Sequence, residues 1–389
     1  MKNIANSPSK GENRAPKIIT VFCCFTSFVF FSLVPEGHLD IRSEDEVTLE
    51  EQQEGRKRMV FDATMYGLLL YGPGTARLLE MSSARQIIGL ELLMGGGTFW
   101  GALKATENYR LGAGRSKLVQ WGSYAGTLYG FGVPIFFESE NDKAYLASAM
   151  LATPLSGLIA HSLSNHRWFE KGESDLLTNG GLVGGLYGIA IPYLLDIENL
   201  ENWTQAKIYT ASAMIGVPTG VWATSRLFRD KSISQGRAHL ISMGGVIGSL
   251  YAAGLTHLSG LGDFTFESGE IETVERPRAY VLASTLGLPL GTYLGYILTD
   301  KEEYTTGRAR LIMIGALVGA LSGTGVLLLA DIDGENTKSY VLANMVGSAA
   351  GIWYAHRFTR GWGEELASTE GVQPEVDEGF SMEFIRISF

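Results

Sequence analysis

The chain has 389 residues, a formal net charge of −10 and a mean hydropathy of +0.10. Phosphate binding needs a concentrated basic face, and the sequence has no such face, so this balance argues against a nucleic-acid partner. The only two cysteines, Cys23 and Cys24, are adjacent, which leaves the rest of the chain without a disulfide framework or a thiolate metal site.

The N-terminal region has the layout of an export or anchor segment. Basic residues precede an apolar run over 18–34, and an acidic stretch follows it. This order predicts a signal peptide or a retained membrane anchor over residues 1–35, and both readings stay open because no A-x-A-like cleavage site is present. Residues 36–55 are then predicted to form an acidic polar linker.

Glycine is unusually abundant, at 49 residues, and its positions recur along the chain. Two sets of four glycines recur with the same spacings between copies. In the second set, a leucine stands two residues after each glycine. The two sets are Gly122, Gly180, Gly244 and Gly315, and then Gly126, Gly184, Gly248 and Gly319. Glycines four residues apart share one face of a helix, where a second backbone can approach closely. We therefore predict that these eight residues mediate helix packing.

A second type of helix follows each of these segments. Three of these segments have a proline nine residues after a tyrosine, and the last segment has Ala349 at that position. A small residue stands two positions after each proline and after Ala349. Proline inside a helix removes a hydrogen-bond donor and leaves a carbonyl free one turn earlier. The pattern predicts kinks at Pro154, Pro218 and Pro289.

Together these signals predict an all-α tandem repeat of five glycine-zipper helical hairpins, with about ten hydrophobic helices. The repeat would occupy residues 56–360, and a polar tail over 361–389 would end in a short, aromatic, β-like segment. The predicted copies cover 56–113, 114–171, 172–235, 236–306 and 307–360.

The apolar segments are about as long as a membrane span requires, roughly 20 residues. Leu176–Leu195 and Leu311–Ala330 are apolar enough to insert, whereas other segments carry polar residues. Basic residues concentrate in the turns that lead from one hairpin to the next. If the N-terminus is cytoplasmic, these turns lie outside, which is contrary to the usual excess of basic residues on the cytoplasmic side. We therefore keep three hypotheses: membrane-embedded helices, a periplasmic or outer-envelope helical array, and, from the tail alone, a β-barrel.

No motif predicts catalysis, a cofactor or a bound metal. Acidic residues cluster in the turns inside each hairpin, where solvation explains them better than a calcium site does, and Asp331–Gly334 lacks the remaining spacing of an EF-hand. His161 and His356 occupy aligned positions without further donor residues nearby. We accordingly expect no enzymatic activity.

The function that follows is a structural scaffold or assembly component in the membrane of a bacterial-type cell envelope. The alternative is a transporter or channel built from kinked hairpins, for which Glu91 is the clearest mid-helix ionisable residue. The expected partners are the lipid bilayer and, through the C-terminal tail, other proteins.

Overall fold

A computed structural model describes most of the chain after residue 48. The described residues are 49–107, 112–164, 169–197, 200–228, 231–261, 265–267, 270–272, 277–330 and 337–360. The predicted signal or anchor over 1–35 and the tail over 361–389 lie outside them.

The described residues are almost entirely helical, as the sequence predicts. The helices are α1 (Leu49–Tyr66), α2 (Gly72–Leu78), α3 (Ala84–Ala105), α4 (Ala113–Phe136), α5 (Asp142–Leu163), α6 (Lys171–Leu194), α7 (Asn202–Leu227), α8 (Gln235–Ser259), α9 (Pro277–Leu298), α10 (Thr306–Leu329) and α11 (Thr337–Phe358). A ribbon of two short antiparallel strands, β1 (Thr265–Glu267) and β2 (Glu270–Glu272), joins α8 to α9.

A π-helical turn over Gly67–Tyr71 connects α1 to α2, so the three segments form one continuous helical rod. The N–H of Gly72 donates to the carbonyl of Gly67, and Pro73 follows in the first turn of α2. Since proline supplies no N–H, the regular α-helical bonding cannot pass this point unchanged. The first hairpin therefore differs locally from the others.

Consecutive helices pack as antiparallel pairs: the rod of α1 and α2 with α3, α4 with α5, α6 with α7, α8 with α9, and α10 with α11. The first helices of successive pairs also contact one another, in the order α1, α4, α6, α8 and α10. Each first helix additionally touches the second helix of the following pair, whereas successive second helices have no substantial contact within the described residues. Open grooves therefore separate neighbouring second helices.

The buried core is small and lies near the start of the first helices. One cluster contains Leu176, Ile233, Ala238 and Ile241, and the next contains Leu240, Tyr304, Ala309 and Ile312. Large apolar side chains elsewhere on both layers are exposed; Leu290 of α9 and Leu317 of α10, for example, are 63% and 62% exposed. Such broad apolar exposure is unusual for a soluble monomer.

Four helices have the length and apolar composition needed to cross a membrane: α5, α8, α9 and α10. The predicted span over Leu311–Ala330 falls within this set, because it corresponds to α10. The span predicted over Leu176–Leu195 does not, because Asn179, Pro192 and several glycines lower the mean hydropathy of α6. The helices also continue unbroken through Pro154, Pro218 and Pro289. The kinks predicted at these prolines stay a prediction.

Candidate functional site

The eight glycines named by the sequence all lie in first helices and face the second helix of their own pair. A methyl group on Gly184 would overlap the carbonyl oxygen of Gly216 and lie 2.8 Å from Cα of Gly220. A methyl group on Gly248 would lie 2.6 Å from Cα of Gly291. The corresponding neighbours of the other six are Ala160 for Gly122, Ser156 for Gly126, Thr224 for Gly180, Gly291 for Gly244, Gly351 for Gly315 and Gly347 for Gly319. Backbone therefore meets backbone across these pairs, which leaves no room for a side chain at the contact.

A second set of glycines brings neighbouring pairs together where the first helices begin. Gly114, Gly172 and Gly236 each face a carbonyl of the turn that precedes the next first helix, respectively those of Phe169, Ile233 and Tyr304. The residues two positions later, Ser116, Ser174 and Ala238, are fully buried. These ends of the helices are consequently the most tightly stacked part of the array.

Tyrosines of first helices connect each pair to the next. The hydroxyl of Tyr71 donates to the carbonyl of Met150, and that of Tyr129 donates to the carbonyl of Met214, at 3.1 and 2.8 Å. Tyr187 bonds Thr285 in the same way, and Tyr251 bonds Met345 at 2.8 Å. The first three acceptors stand four residues before Pro154, Pro218 and Pro289, and the fourth stands four before Ala349. The first three phenols thus reach the carbonyls that proline leaves without a helical donor, whereas the carbonyl of Met345 precedes an alanine that has an N–H.

Three ionisable side chains meet at the tightly stacked end. Asp175 of α6 is 4% exposed and lies between Lys117 of α4, with which it forms an ion pair, and His239 of α8. The Nε2 atom of His239 lies 2.9 Å from Oδ2 of Asp175. These residues come from three consecutive first helices and occupy the same position, three residues after Gly114, Gly172 and Gly236. The cluster therefore links three hairpins through an ion pair and a close contact between the imidazole and the carboxylate.

The opposite end of the array carries a different set of ion pairs. Glu80, Glu138 and Asp196 follow the ends of first helices with positive φ values of 56°, 53° and 61°, a conformation that usually favours glycine. They pair with Lys143, Lys207 and Arg278, each in the second helix of the following hairpin. The sequence interpretation of Glu138 and Asp196 as solvated turn residues omitted these partners, because the partners belong to another hairpin.

A further ion pair lies in the turn between α9 and α10. Arg308, which is 4% exposed, donates to a carboxylate oxygen of Glu302 at 2.7 Å. This hydrogen bond and the positive charge hold the pKa of Glu302 below its usual value, against a smaller opposing effect of burial. Burial raises the pKa of the neighbouring Tyr304, whose ring lies 4.4 Å beneath the guanidinium of Arg308.

A groove of about 830 Å³ lies between α7 and α9, with α6 as its floor. It runs along α6 from Leu176 to Ile191 and is lined mostly by apolar and small residues. Its end near the turn from α7 to α8 contains Phe228, Lys231 and Tyr296. An elongated apolar molecule with a negative charge at one end would match this lining.

The other residues singled out by the sequence do not converge on a site. His161 lies 3.2 Å from the guanidinium of Arg115, whereas the ring of His356 lies 6.2 Å from that of Tyr304, so the two histidines make separate contacts. Glu91 is half-buried where α3 packs against Gly72. No group of three potential metal ligands occurs among the described residues, and Asp331–Gly334 lies outside them.

Comparison with known proteins adds no family to this description: no family model, no curated protein and no solved structure matches the chain.

Sequence reasoning missed the charge cluster and the polar end of the groove. The patterns in the sequence predicted no role for His239 or Tyr296. The shared offset of Lys117, Asp175 and His239 from the aligned glycines is visible in the sequence and could have indicated a common stack. Lys231 and Tyr296 are 65 residues apart, and only the stacking of one hairpin on the next brings them together.

Proposed function

We propose that this chain is a non-enzymatic scaffold or assembly component embedded in the membrane of a bacterial-type cell envelope. In this proposal five glycine-zippered hairpins repeat along the chain and stack into a stiff linear array. The bilayer covers the apolar faces of the array, and its two polar ends face water on opposite sides of the membrane.

The observation that carries this proposal is the apolar surface that the folded chain leaves uncovered. Large aliphatic and aromatic side chains are exposed along first and second helices alike, including Leu250 of α8, Leu290 of α9 and Leu317 of α10. The paired helices α4 to α11 have 22 to 26 residues. At 1.5 Å per residue they extend about 33 to 39 Å, which exceeds a hydrocarbon core of about 30 Å.

The contacts between hairpins favour a structural role over a mobile one. Neighbouring hairpins are joined by ion pairs at one end, by tyrosine hydroxyls along the helices, and by glycine contacts and the Asp175 cluster at the other end. Sliding one hairpin past another would break all three kinds of contact together. A rigid array of this kind suits a platform on which other components assemble.

The buried cluster of Lys117, Asp175 and His239 favours transport as a second candidate function, because ionisable groups inside membrane proteins often serve ion pathways. The cluster is near the start of α6 rather than at its middle, and its charges neutralise one another locally. Flux measurements on reconstituted vesicles separate the two candidates. A scaffold gives no proton or cation flux above empty vesicles, whereas a transporter gives flux that Asp175→Asn abolishes.

Membrane insertion is tested by fractionating cells that express the full chain with a C-terminal tag. We expect the protein to stay in the membrane pellet after a carbonate wash. A sidedness test then uses Glu140→Cys and Ser232→Cys, placed in turns at opposite ends of the helices, in a background where Cys23 and Cys24 are alanine. An impermeant thiol reagent should label only one of the two. Extraction by carbonate, or equal labelling of both positions, would overturn the proposal.

A further inference from the structure

The groove between α7 and α9 has dimensions and chemistry that identify its occupant. We propose that it binds one anionic phospholipid of the surrounding bilayer, with the phosphate at Lys231 and one acyl chain along the floor formed by α6. This inference rests on the proposed membrane insertion, because the lipid enters from the bilayer.

The length of the groove suits an acyl chain. Its floor extends from Leu176 to Ile191, which corresponds to about 22 Å of helix. One leaflet occupies about half of a hydrocarbon core of about 30 Å. The groove is longer than that, so it can hold the whole length of an acyl chain from one leaflet. Gly180, Gly184 and Gly188 line this floor and keep it free of bulky side chains.

The polar end of the groove carries the positive charge that an anionic headgroup requires. The ammonium of Lys231 lies 4.2 Å from the ring centroid of Tyr296 and contacts its hydroxyl. Lys231 is exposed and forms no ion pair with any described residue. The nearby Arg237 is already paired with Asp300. Lys231 is therefore the cation that the described lining of the groove offers to a phosphate.

A second polar group lies deeper in the groove. Asn179 lines the floor three residues beyond Leu176, and its side-chain amide has no hydrogen-bond partner among the residues that the structure describes. An amide placed between a cationic end and an apolar channel matches the order of phosphate, ester and acyl chain in a phospholipid. The amide N–H can donate to an ester carbonyl of the lipid. A hydrocarbon or an apolar peptide side chain has no ester carbonyl to accept this hydrogen bond.

The neighbouring hairpin shows why this groove differs from the next one. Lys231 stands five residues before Gly236, and the residue five before Gly307 is Glu302. Glu302 forms an ion pair with Arg308, and its charge is opposite to that of Lys231. An anionic headgroup would be repelled there, so the sequence disfavours an equivalent site at the turn from α9 to α10.

The experiment reconstitutes the full chain in nanodiscs of phosphatidylcholine that contain a small fraction of chain-spin-labelled lipid. The label is carried by phosphatidylglycerol in one arm and by phosphatidylcholine in the other. Electron paramagnetic resonance measures the motionally restricted fraction in each arm. Recovery of every variant in nanodiscs is measured first, so a failure of membrane insertion is recorded separately from a failure of lipid selectivity.

We expect the wild-type protein to restrict labelled phosphatidylglycerol preferentially. Lys231→Gln should lower this preference roughly fivefold, the effect of one basic residue on an anionic lipid. Lys301→Gln removes an equally exposed lysine in the turn from α9 to α10, outside the groove, and should leave the preference unchanged. Thr219→Trp, which fills the groove from α7, should reduce restriction of both lipids, and Asn179→Leu should weaken restriction without reversing the preference.

Equal restriction of the two lipids by the wild-type protein would overturn the lipid site while leaving membrane insertion intact. So would equal effects of Lys231→Gln and Lys301→Gln. A wild-type dimer that Thr219→Trp converts to a monomer would instead assign the groove to a second copy of the chain, and would also overturn it. Failure of the wild-type protein to enter nanodiscs would remove both proposals.

Discussion

The hydroxyl of Tyr129 donates a hydrogen bond, 2.8 Å long, to the main-chain carbonyl of Met214 in the next hairpin. Met214 stands four residues before Pro218, whose ring nitrogen cannot supply the N–H that this carbonyl would receive in a regular helix. The tyrosine therefore supplies from outside the helix the donor that proline withholds. The same relation joins Tyr71 to Met150 and Tyr187 to Thr285. The aligned position in α10 is Ser322, and within the described residues no later second helix follows α11 to require a tyrosine there.

This relation makes the cost of removing the hydroxyl depend on the proline. Tyr129→Phe leaves the carbonyl of Met214 without a donor, and we expect it to lower the free energy of unfolding by about 1 to 2 kcal/mol. In a Pro218→Ala background the new N–H can satisfy the carbonyl. There the same change should cost less than about 0.5 kcal/mol. Detergent-induced unfolding of the four proteins of this double-mutant cycle gives the coupling, and equal costs in both backgrounds would refute the explanation.

Close backbone approach predicts that glycines differ sharply in their tolerance of alanine. Gly184→Ala places a methyl group against Gly216 and Gly220, so α6 and α7 must separate. We expect a loss of about 1 to 3 kcal/mol in the free energy of unfolding. Gly96→Ala in α3 is the control, because nothing lies within 4 Å of the added carbon. It should be neutral or stabilise the helix by up to about 1 kcal/mol. Equal effects of the two substitutions would contradict the packing role.

The Asp175 cluster predicts a loss that a second substitution can recover. Asp175→Asn removes the negative charge beside Lys117, whose side chain is only 25% exposed, and leaves that cation without its partner. We expect a loss of about 3 kcal/mol in the free energy of unfolding. Adding Lys117→Met to Asp175→Asn should restore part of it, since both charges are then absent.

Exposed Glu138 provides the control for this cluster. Glu138→Gln breaks the pair with Lys207 at the other end of the array, where water screens the interaction. Its unfolding midpoint should stay close to that of the wild-type protein. If the Asp175 variant behaves like the Glu138 variant, the buried cluster contributes little to stability.

Glu302 predicts a specific dependence of stability on acid. Because its pKa is lowered in the folded protein from the usual 4.5, the ionised form stabilises the fold at neutral pH. That contribution is present above pH 4.5 and disappears as the pH falls through the lowered value. Glu302→Gln should therefore lower the melting temperature at pH 7 and have progressively less effect toward pH 3. Melting curves of the two proteins across this range test the sign, and a constant difference would contradict it.

The sequence by itself determined that the chain is helical, because runs of apolar and small residues at helical spacing alternate with charged turns. It also named the glycines that meet a second helix and the prolines that follow the carbonyls bonded by tyrosine. The reading of those residues as a fivefold zippered repeat with kinked second helices stays a prediction. The sequence overestimated the apolar character of α6, where Asn179, Pro192 and several glycines lower the mean hydropathy of the predicted span. The burial of Asp175 in a charged cluster is a separate feature that no linear pattern shows.

Tertiary structure alone decided which groups meet between hairpins. The bond from Tyr129 to Met214, the cluster around Asp175 and the groove closed by Lys231 and Tyr296 all join residues more than 50 positions apart. A periodic pattern specifies which face of a helix is small or polar, because that face depends on neighbours three and four residues away. It does not specify which other helix covers the face, because that choice depends on how whole hairpins stack.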